Sequence, residues 1–369
     1  MTKLSELCNI QYGYAFDSNN FTEDDNFLPL VRIRDVKRGF SETYYNGEFP
    51  KEYIIRKGDI LIGMDGEFNI ARWKSQDALL NQRVCKIQAK EGVDEDYLRL
   101  YLSKELKKIE SRTPFVTVKH LSAKELNKID LHVPEYEEQR KISMIFGVLE
   151  NIIVQRQTEL LEFDALIKAR FVEMFGDNKA NPMNWKQSTI GECCTLKSGT
   201  TLSTDVENEG GPIPYIKVGD MNYPGNERYI TTSSRFVSEA TAGKGLFKIG
   251  SIVFPKRGGA ISTNKKRMTK KTICADLNVM GVSSNGSLLP EYLLTYFDFI
   301  DLGSLSDGSS VPQINNKNIA PLIVCIPPIE LQNQFASFVA QVDKSKVAVQ
   351  NALDEAQLLF DSLMQHYFG

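Results

Sequence analysis

Few of the side chains able to break or form bonds are placed to do so. Three histidines, His120, His132 and His366, have no partner at a metal-ligand spacing, and the six cysteines, Cys8, Cys85, Cys193, Cys194, Cys274 and Cys325, show no CxxC pattern. The chain has no GxSxG elbow, no GxxxxGKS/T phosphate loop and no GxGxxG fingerprint after a strand. Glu137-Glu138 falls in the first turn of an expected helix, where the macrodipole accounts for paired carboxylates. No catalytic centre, metal site or cofactor is expected in this chain.

What remains is a set of Arg, Lys, Asn, Gln and His residues concentrated in loops. In the first half they are Arg72, Lys74, Gln82, Arg83, Lys119 and His120. In the second they are Lys256, Arg257, Lys265, Lys266, Arg267, Gln313, Asn315, Asn316 and Lys317. Arg and Lys suit phosphate oxygens and guanine edges, and Asn and Gln suit adenine edges. A solvated face would explain any one of them equally well, but a pattern repeated at matched places favours contact with DNA. Lys265-Lys266-Arg267, in the most basic stretch, is expected to carry salt-dependent binding, so that alanines there weaken and flatten it.

The elements that must position these loops occur twice. Residues 134–176 and 327–369 overlay at a shift of 193 without a gap, Pro134 on Pro327, Gln139 on Gln332, Phe175 on Phe368 and Gly176 on Gly369. Each run opens on proline, holds no interior proline, and repeats apolar residues at spacings of four and three. The first seam reads Ile142, Phe146, Leu149, Ile153, Leu160, Phe163, Ile167, Met174. The second reads Phe335, Val339, Val342, Val349, Leu353, Ala356, Phe360, Leu363, Tyr367. Each predicts a helix of roughly 60 Å. Arg156 and Arg170 interrupt one seam and Lys346 the other, at non-matching places, which favours pairing of one copy with the other within the chain. The alternative is that each helix packs on its own neighbouring domain.

The repeat continues through the globular halves. Gly13 matches Gly199, 28–36 matches 213–221 as a short strand, and 57–62 matches 249–254 as a glycine turn feeding a buried strand. Further strands are expected at 79–87 and 274–282, and short helices at 96–108 and 290–300. The last loops before the long helices span 113–121 and 309–318. Short strands, glycine turns and few helices define an α+β class with mixed strands. The boundaries are domain 1 at 1–133, a long helix at 134–176, a linker at 177–189, domain 2 at 190–326 and a second long helix at 327–369. Asn181-Pro182-Met183-Asn184-Trp185 has the outline of the Asn-Pro-Pro-aromatic loop of adenine methyltransferases. It lacks the second proline, a preceding strand and an upstream glycine motif, and reads as linker.

Composition bounds the partners. With 42% hydrophobic and 25% charged residues the chain is that of a soluble globular protein, and no apolar run reaches membrane-span length. The cysteine pattern fits a reduced, cytoplasmic protein. A net charge of −3 is unusual for a protein that binds DNA alone, so either DNA is not the partner, or its basic residues are confined to one face and other subunits share the electrostatic work.

The doubled layout, with Gly58-Asp59-Ile60-Leu61, Asp65-Gly66-Glu67-Phe68-Asn69, Leu80-Asn81-Gln82-Arg83-Val84, Thr117-Val118-Lys119-His120-Leu121 and the Val133-to-Arg140 helix start, resembles the specificity subunits of Type I restriction–modification enzymes. The resemblance covers the whole chain. It implies two target-recognition domains, each reading half of a split double-stranded DNA site. It further implies that the long helices form an antiparallel coiled-coil spacer. Adenine methyltransferase subunits carrying S-adenosylmethionine would dock on those helices, and a motor-nuclease subunit is a further partner the family admits. The second domain lacks the Asn-Gln-Arg triplet, so its base preference does not follow by analogy. Two rivals are a coiled-coil scaffold that reads no nucleic acid and a methyltransferase fused to its own reader.

Overall fold

The computed structural model describes residues 1–113 and 119–369, so Thr117 and Val118 of the family-like loop lie outside the described residues. The chain forms two compact units, Met1–Arg156 with Ala352–Gly369, and Gln157–Asn351. The division falls inside the long helices. Each unit therefore holds one globular half and one end of each helix.

The long helices run Tyr136–Phe175 and Ile329–Phe368, two residues inside the expected starts and one inside the expected ends. In the first unit the opening turns of one helix meet the closing turns of the other: Phe146 packs on Phe360 and Phe368, with ring centroids 5.1 and 5.8 Å apart. In the second unit the ends are reversed, with Phe171 and Phe175 each 5.5 Å from Phe335. The pairing is antiparallel. Its seam is closed by burying Ile142, Phe146, Leu149 and Ile167 from one helix and Phe335, Val339, Val342, Val349 and Ala356 from the other. Lys346, the charge in the second seam, donates to Asp164 Oδ1 of the opposite helix at 2.8 Å. A half-buried lysine paired in this way fixes register rather than adding much stability.

In the first domain an antiparallel four-stranded sheet runs in the order Cys8–Tyr12, Val84–Ala89, Ile60–Gly63, Ile70–Arg72. A second sheet holds the parallel pair Leu28–Val31 and Ala78–Leu80. The second domain repeats both: Cys194–Ser198, Val279–Ser284, Ile252–Pro255 and Arg267–Thr269 form one sheet, to which Tyr229–Ile230 adds a parallel edge. Ile213–Ile216 and Ile273–Ala275 form the parallel pair of the other. The strands are mixed, as the α+β reading expected.

Four boundaries differ from expectation. The strand predicted over 28–36 stops at Val31, and Ile33–Arg38 is helical, because Asp35 accepts from the Arg32 backbone N–H at 3.0 Å and caps the turn. Asp220 does the same for Lys217 at 2.7 Å in the second domain. The strand predicted over 79–87 is two strands in different sheets, broken at Asn81-Gln82-Arg83, and 274–282 breaks likewise at 276–278. The second domain begins before residue 190, since Lys186–Thr189, assigned to the linker, pairs with Ile323–Ile326. The short helix of the first domain extends over Glu95–Arg112. The rest of the linker is tied down by Trp185, whose ring N–H donates to the Phe175 carbonyl at 3.0 Å.

Each globular half is fastened to a long helix by a buried glutamine. Gln139 Oε1 accepts from Asp94 N at 2.9 Å, while its amide donates to the Gly92 and Pro134 carbonyls. Gln332 Oε1 accepts from Leu289 N at 2.8 Å, and its amide donates to the Ser287 and Pro327 carbonyls. The six free cysteines are all buried as small apolar groups. Among the described residues no helix is long and apolar enough to cross a membrane.

Candidate nucleic-acid interface

In each domain three loops converge at one end of the main sheet, joined by the same backbone bonds. Met64 N donates to Arg83 O at 2.8 Å, Gly66 N to Lys119 O at 2.8 Å and Leu121 N to Met64 O at 2.7 Å. In the second domain Lys256 N donates to Asn278 O at 2.9 Å, Gly258 N to Pro312 O at 2.8 Å and Ile314 N to Lys256 O at 2.9 Å. Asp65 bridges His120 where Arg257 bridges Gln313. The glycine matched earlier explains how a fourth segment closes on this group. A side chain at Gly13 would stand 2.0 Å from the Asn81 carbonyl, and one at Gly199 would stand 2.2 Å from the Ala275 carbonyl.

The framework is duplicated, but the side chains it displays are not. Asp65, Gln82, Arg83 and His120 of the first domain stand where Arg257, Leu277, Asn278 and Gln313 stand in the second. Asp65 Oδ1 lies 2.5 Å from His120 Nδ1, and Asp65 Oδ2 lies 3.5 Å from Arg83 Nε. Arg257 is exposed, and its guanidinium has no hydrogen-bond or ion-pair partner among the described residues. Lys256 donates to Ser198 Oγ at 3.0 Å, and Lys119 to the Glu110 carbonyl at 2.7 Å.

The remaining candidates separate by what already holds them. Gln82 is exposed on the turn, and Asn316 and Lys317 are exposed on the short helix Asn316–Ile319 after the Gln313 loop. Asn315 caps that helix and is half-buried; its backbone N–H takes Asn318 Oδ1 at 2.8 Å. Arg72 lies away from the convergent loops, at the edge strand, held by Asp96 at 3.0 Å, Glu95 at 3.2 Å and the Gly58 carbonyl at 2.8 Å. Lys74, also beyond that edge, is exposed, and its methylenes cover Gly39.

The basic stretch 265–267 corrects the sequence reading most. Lys266 is only 5% exposed and donates to the Ile300 carbonyl at 2.6 Å and to Asn264 Oδ1 at 2.8 Å. Burial pushes its ammonium down to about 8, against the pull of Asp298 and Asp301. Arg267 spends its guanidinium on the carbonyls of Asn226, Lys266 and Met221, and burial lowers its pKa too. Lys265 is half-buried against Asn222. Lys266 and Arg267 hold the strand Arg267–Thr269 to its surroundings rather than facing solvent, while Lys265 keeps part of its surface in solvent.

Sequence reasoning missed Asp65 and Leu277, which carry neither positive charge nor an amide, and Asn278, which falls inside the run 274–282 expected to be one strand. Aligning the repeats on Gly13/Gly199 and Gly66/Gly258 places Asp65 opposite Arg257, and carrying the alignment on to the strands Val84–Ala89 and Val279–Ser284 places Leu277 and Asn278 opposite Gln82 and Arg83.

Residues 1–162 and 182–356 match the family described as Type I restriction modification DNA specificity domain. The chain belongs to that family. It is 41% identical to the EcoBI specificity subunit of Escherichia coli over 166 residues, 45% of this chain and 35% of that one. It is 23% identical to the MjaIX specificity subunit of Methanocaldococcus jannaschii over 340 residues, 84% of this chain and 77% of that one. Its fold is shared with the Type I restriction–modification S subunit of M. genitalium, at a TM-score of 0.57 and 15% identity, covering 98% of this chain and 94% of the other. A chain from a structure of type I restriction–modification complex assembly aligns at a TM-score of 0.55 and 17% identity, covering 99% and 95%.

Proposed function

We propose that the chain is the non-catalytic, sequence-reading subunit of a Type I restriction–modification complex, working on double-stranded DNA in the cytoplasm. Each domain reads one half of a bipartite site through its convergent loops. The paired helices set the spacing and dock adenine methyltransferase subunits, which bring S-adenosylmethionine and the chemistry. The observation that supports this is the duplicated backbone framework with different side chains, exposed or half-buried, at equivalent points. A structural role would favour the same residues in both copies, whereas reading two different half-sites requires different ones. Apolar residues left exposed along the helices, Met144, Val148 and Leu358 in one unit and Leu161 and Val347 in the other, offer surface for the protein partners. Those partners would also supply the positive field that a chain of net charge −3 lacks.

Sequencing the methylated adenines in DNA exposed to the complex tests the reading. A two-part motif with a constant gap is expected; scattered methylation or a single undivided motif would overturn it. The acidic balance favours one rival, a scaffold that reads no DNA. In a gel-shift with the methyltransferase present, that scaffold would add no sequence preference.

A further inference from the structure

We propose that Arg83 reads a guanine in the half-site bound by the first domain, and that Asp65 and His120 are the positioning residues that aim it. The inference rests on the DNA-reading role proposed above and goes one step further, to a base and to the side chain that selects it.

Backbone conformation is the first argument. Arg83 has φ +73°, and the other non-glycine residues with positive φ among those described are all asparagines, Asn181, Asn184 and Asn264. Asparagine tolerates the left-handed region and arginine does so at a cost. The framework does not demand that cost. Asn278 holds the same place in the second domain, with the same bond to its carbonyl, and is not left-handed. The strained residue is therefore the one whose side chain could least easily be supplied from a relaxed turn.

The guanidinium supplies the second argument. Its Nε edge faces Asp65 at 3.5 Å, and Nη1 makes long contacts, 3.4 and 3.5 Å, to His120 Nδ1 and Nε2. Nη2 has no partner among the described residues, and the side chain is 52% exposed. Asp65 is held in turn by His120 at 2.5 Å. Asp65 and His120 thus buttress Nε and Nη1 of the fork, while Nη2 is left without a partner on a half-exposed side chain. Guanine O6 and N7 accept two parallel N–H bonds in the major groove, whereas adenine offers a donor at N6 that opposes one of them. A phosphate would also accept the fork, but a phosphate anchor gains from uncompensated charge, and Asp65 largely cancels the charge of Arg83.

The second domain lacks this device. Arg257 stands at the place of Asp65, Asn278 at that of Arg83 and Gln313 at that of His120. The two half-sites should therefore differ at the base pair this corner meets.

The test selects bound duplexes from a random library with the full chain in complex with its methyltransferase subunits. Arg83→Gly relieves the backbone while removing the fork, and Arg83→Lys keeps charge without the fork. Both variants should lose about 10- to 100-fold selectivity for guanine at one position of one half-site, with the other half-site unchanged. The melting temperature of Arg83→Gly should be equal to or above that of the wild type, which separates lost reading from lost folding. Unchanged half-sites would overturn the proposal, as would affinity falling equally on all sequences, the signature of a phosphate contact. A wild-type complex with no preference in either half-site would instead overturn the DNA-reading role itself, and this proposal with it.

Discussion

Charge alone is a poor guide to which cations meet a ligand, and Lys266 and Arg267 show why. An ammonium surrounded by carbonyl oxygens is stabilised by them and is lost to any outside partner. Lys266→Ala should lower stability by about 2–3 kcal/mol in urea unfolding, because the Ile300 carbonyl and Asn264 lose a charged donor. The slope of DNA affinity against salt should stay as in the wild type, since no phosphate contact is removed. The pH dependence has a definite sign. The folded lysine titrates near 8 and the unfolded one near its ordinary value of 10.5, so the unfolded state binds the extra proton between those values. Compared with Lys266→Met, wild-type stability should therefore gain as pH rises from about 8 to about 10.5. A gap between the two proteins that stays flat across this window would contradict the buried ammonium.

The joints between domains and helices depend on a few polar side chains with no alternative partners. Gln139 and Gln332 each satisfy one N–H and two carbonyls where a short helix, a turn and a long helix meet, and both are 1% exposed. Replacing either with alanine leaves three buried backbone groups unpaired, at a cost of about 1–3 kcal/mol per orphaned group before relaxation or water entry. Gln139→Ala should destabilise the first unit and Gln332→Ala the second, which unit-resolved hydrogen exchange would distinguish. Equal loosening of both units by one substitution would argue against independent joints. The capping aspartates Asp35 and Asp220 belong to the same class of device. Burial raises the pKa of Asp35 while Ser41, Arg34 and Arg38 oppose that rise.

The spacing role proposed for the paired helices has a direct consequence for the gap in the DNA site. A helix of forty residues has a length set by its residue count, and a seven-residue insertion keeps the seam in phase. Inserting one heptad into both helices should lengthen the unread gap of the DNA site, as measured by methylation mapping. An unchanged gap would remove the helices from that role. Inserting three residues in one helix alone should instead disrupt the seam and lower the melting temperature.

What was legible in the sequence alone was whatever periodicity and duplication encode. The helix pair, the order of elements, the glycine at the close approach and the absence of recognised catalytic motifs all follow from local spacing, because helix packing repeats and turn chemistry is local. Which helix end meets which was visible only as a mismatch of charged seam positions and a family resemblance. The placement of Lys346 against Asp164 required the fold. The strand breaks at 81–83 and 276–278 escaped although polar residues mark them, because the apolar flanks on either side read the same whether they lie in one sheet or in two. The candidate loops were legible in part: Gln82, Arg83, His120, Arg257 and Gln313 come together where the loops converge, whereas Arg72, Lys266 and Arg267, equally basic in sequence, are held by partners inside the protein. Only tertiary structure decides which cations find carbonyls and carboxylates inside the protein and which are left facing out, because those partners lie as many as 46 residues away along the chain.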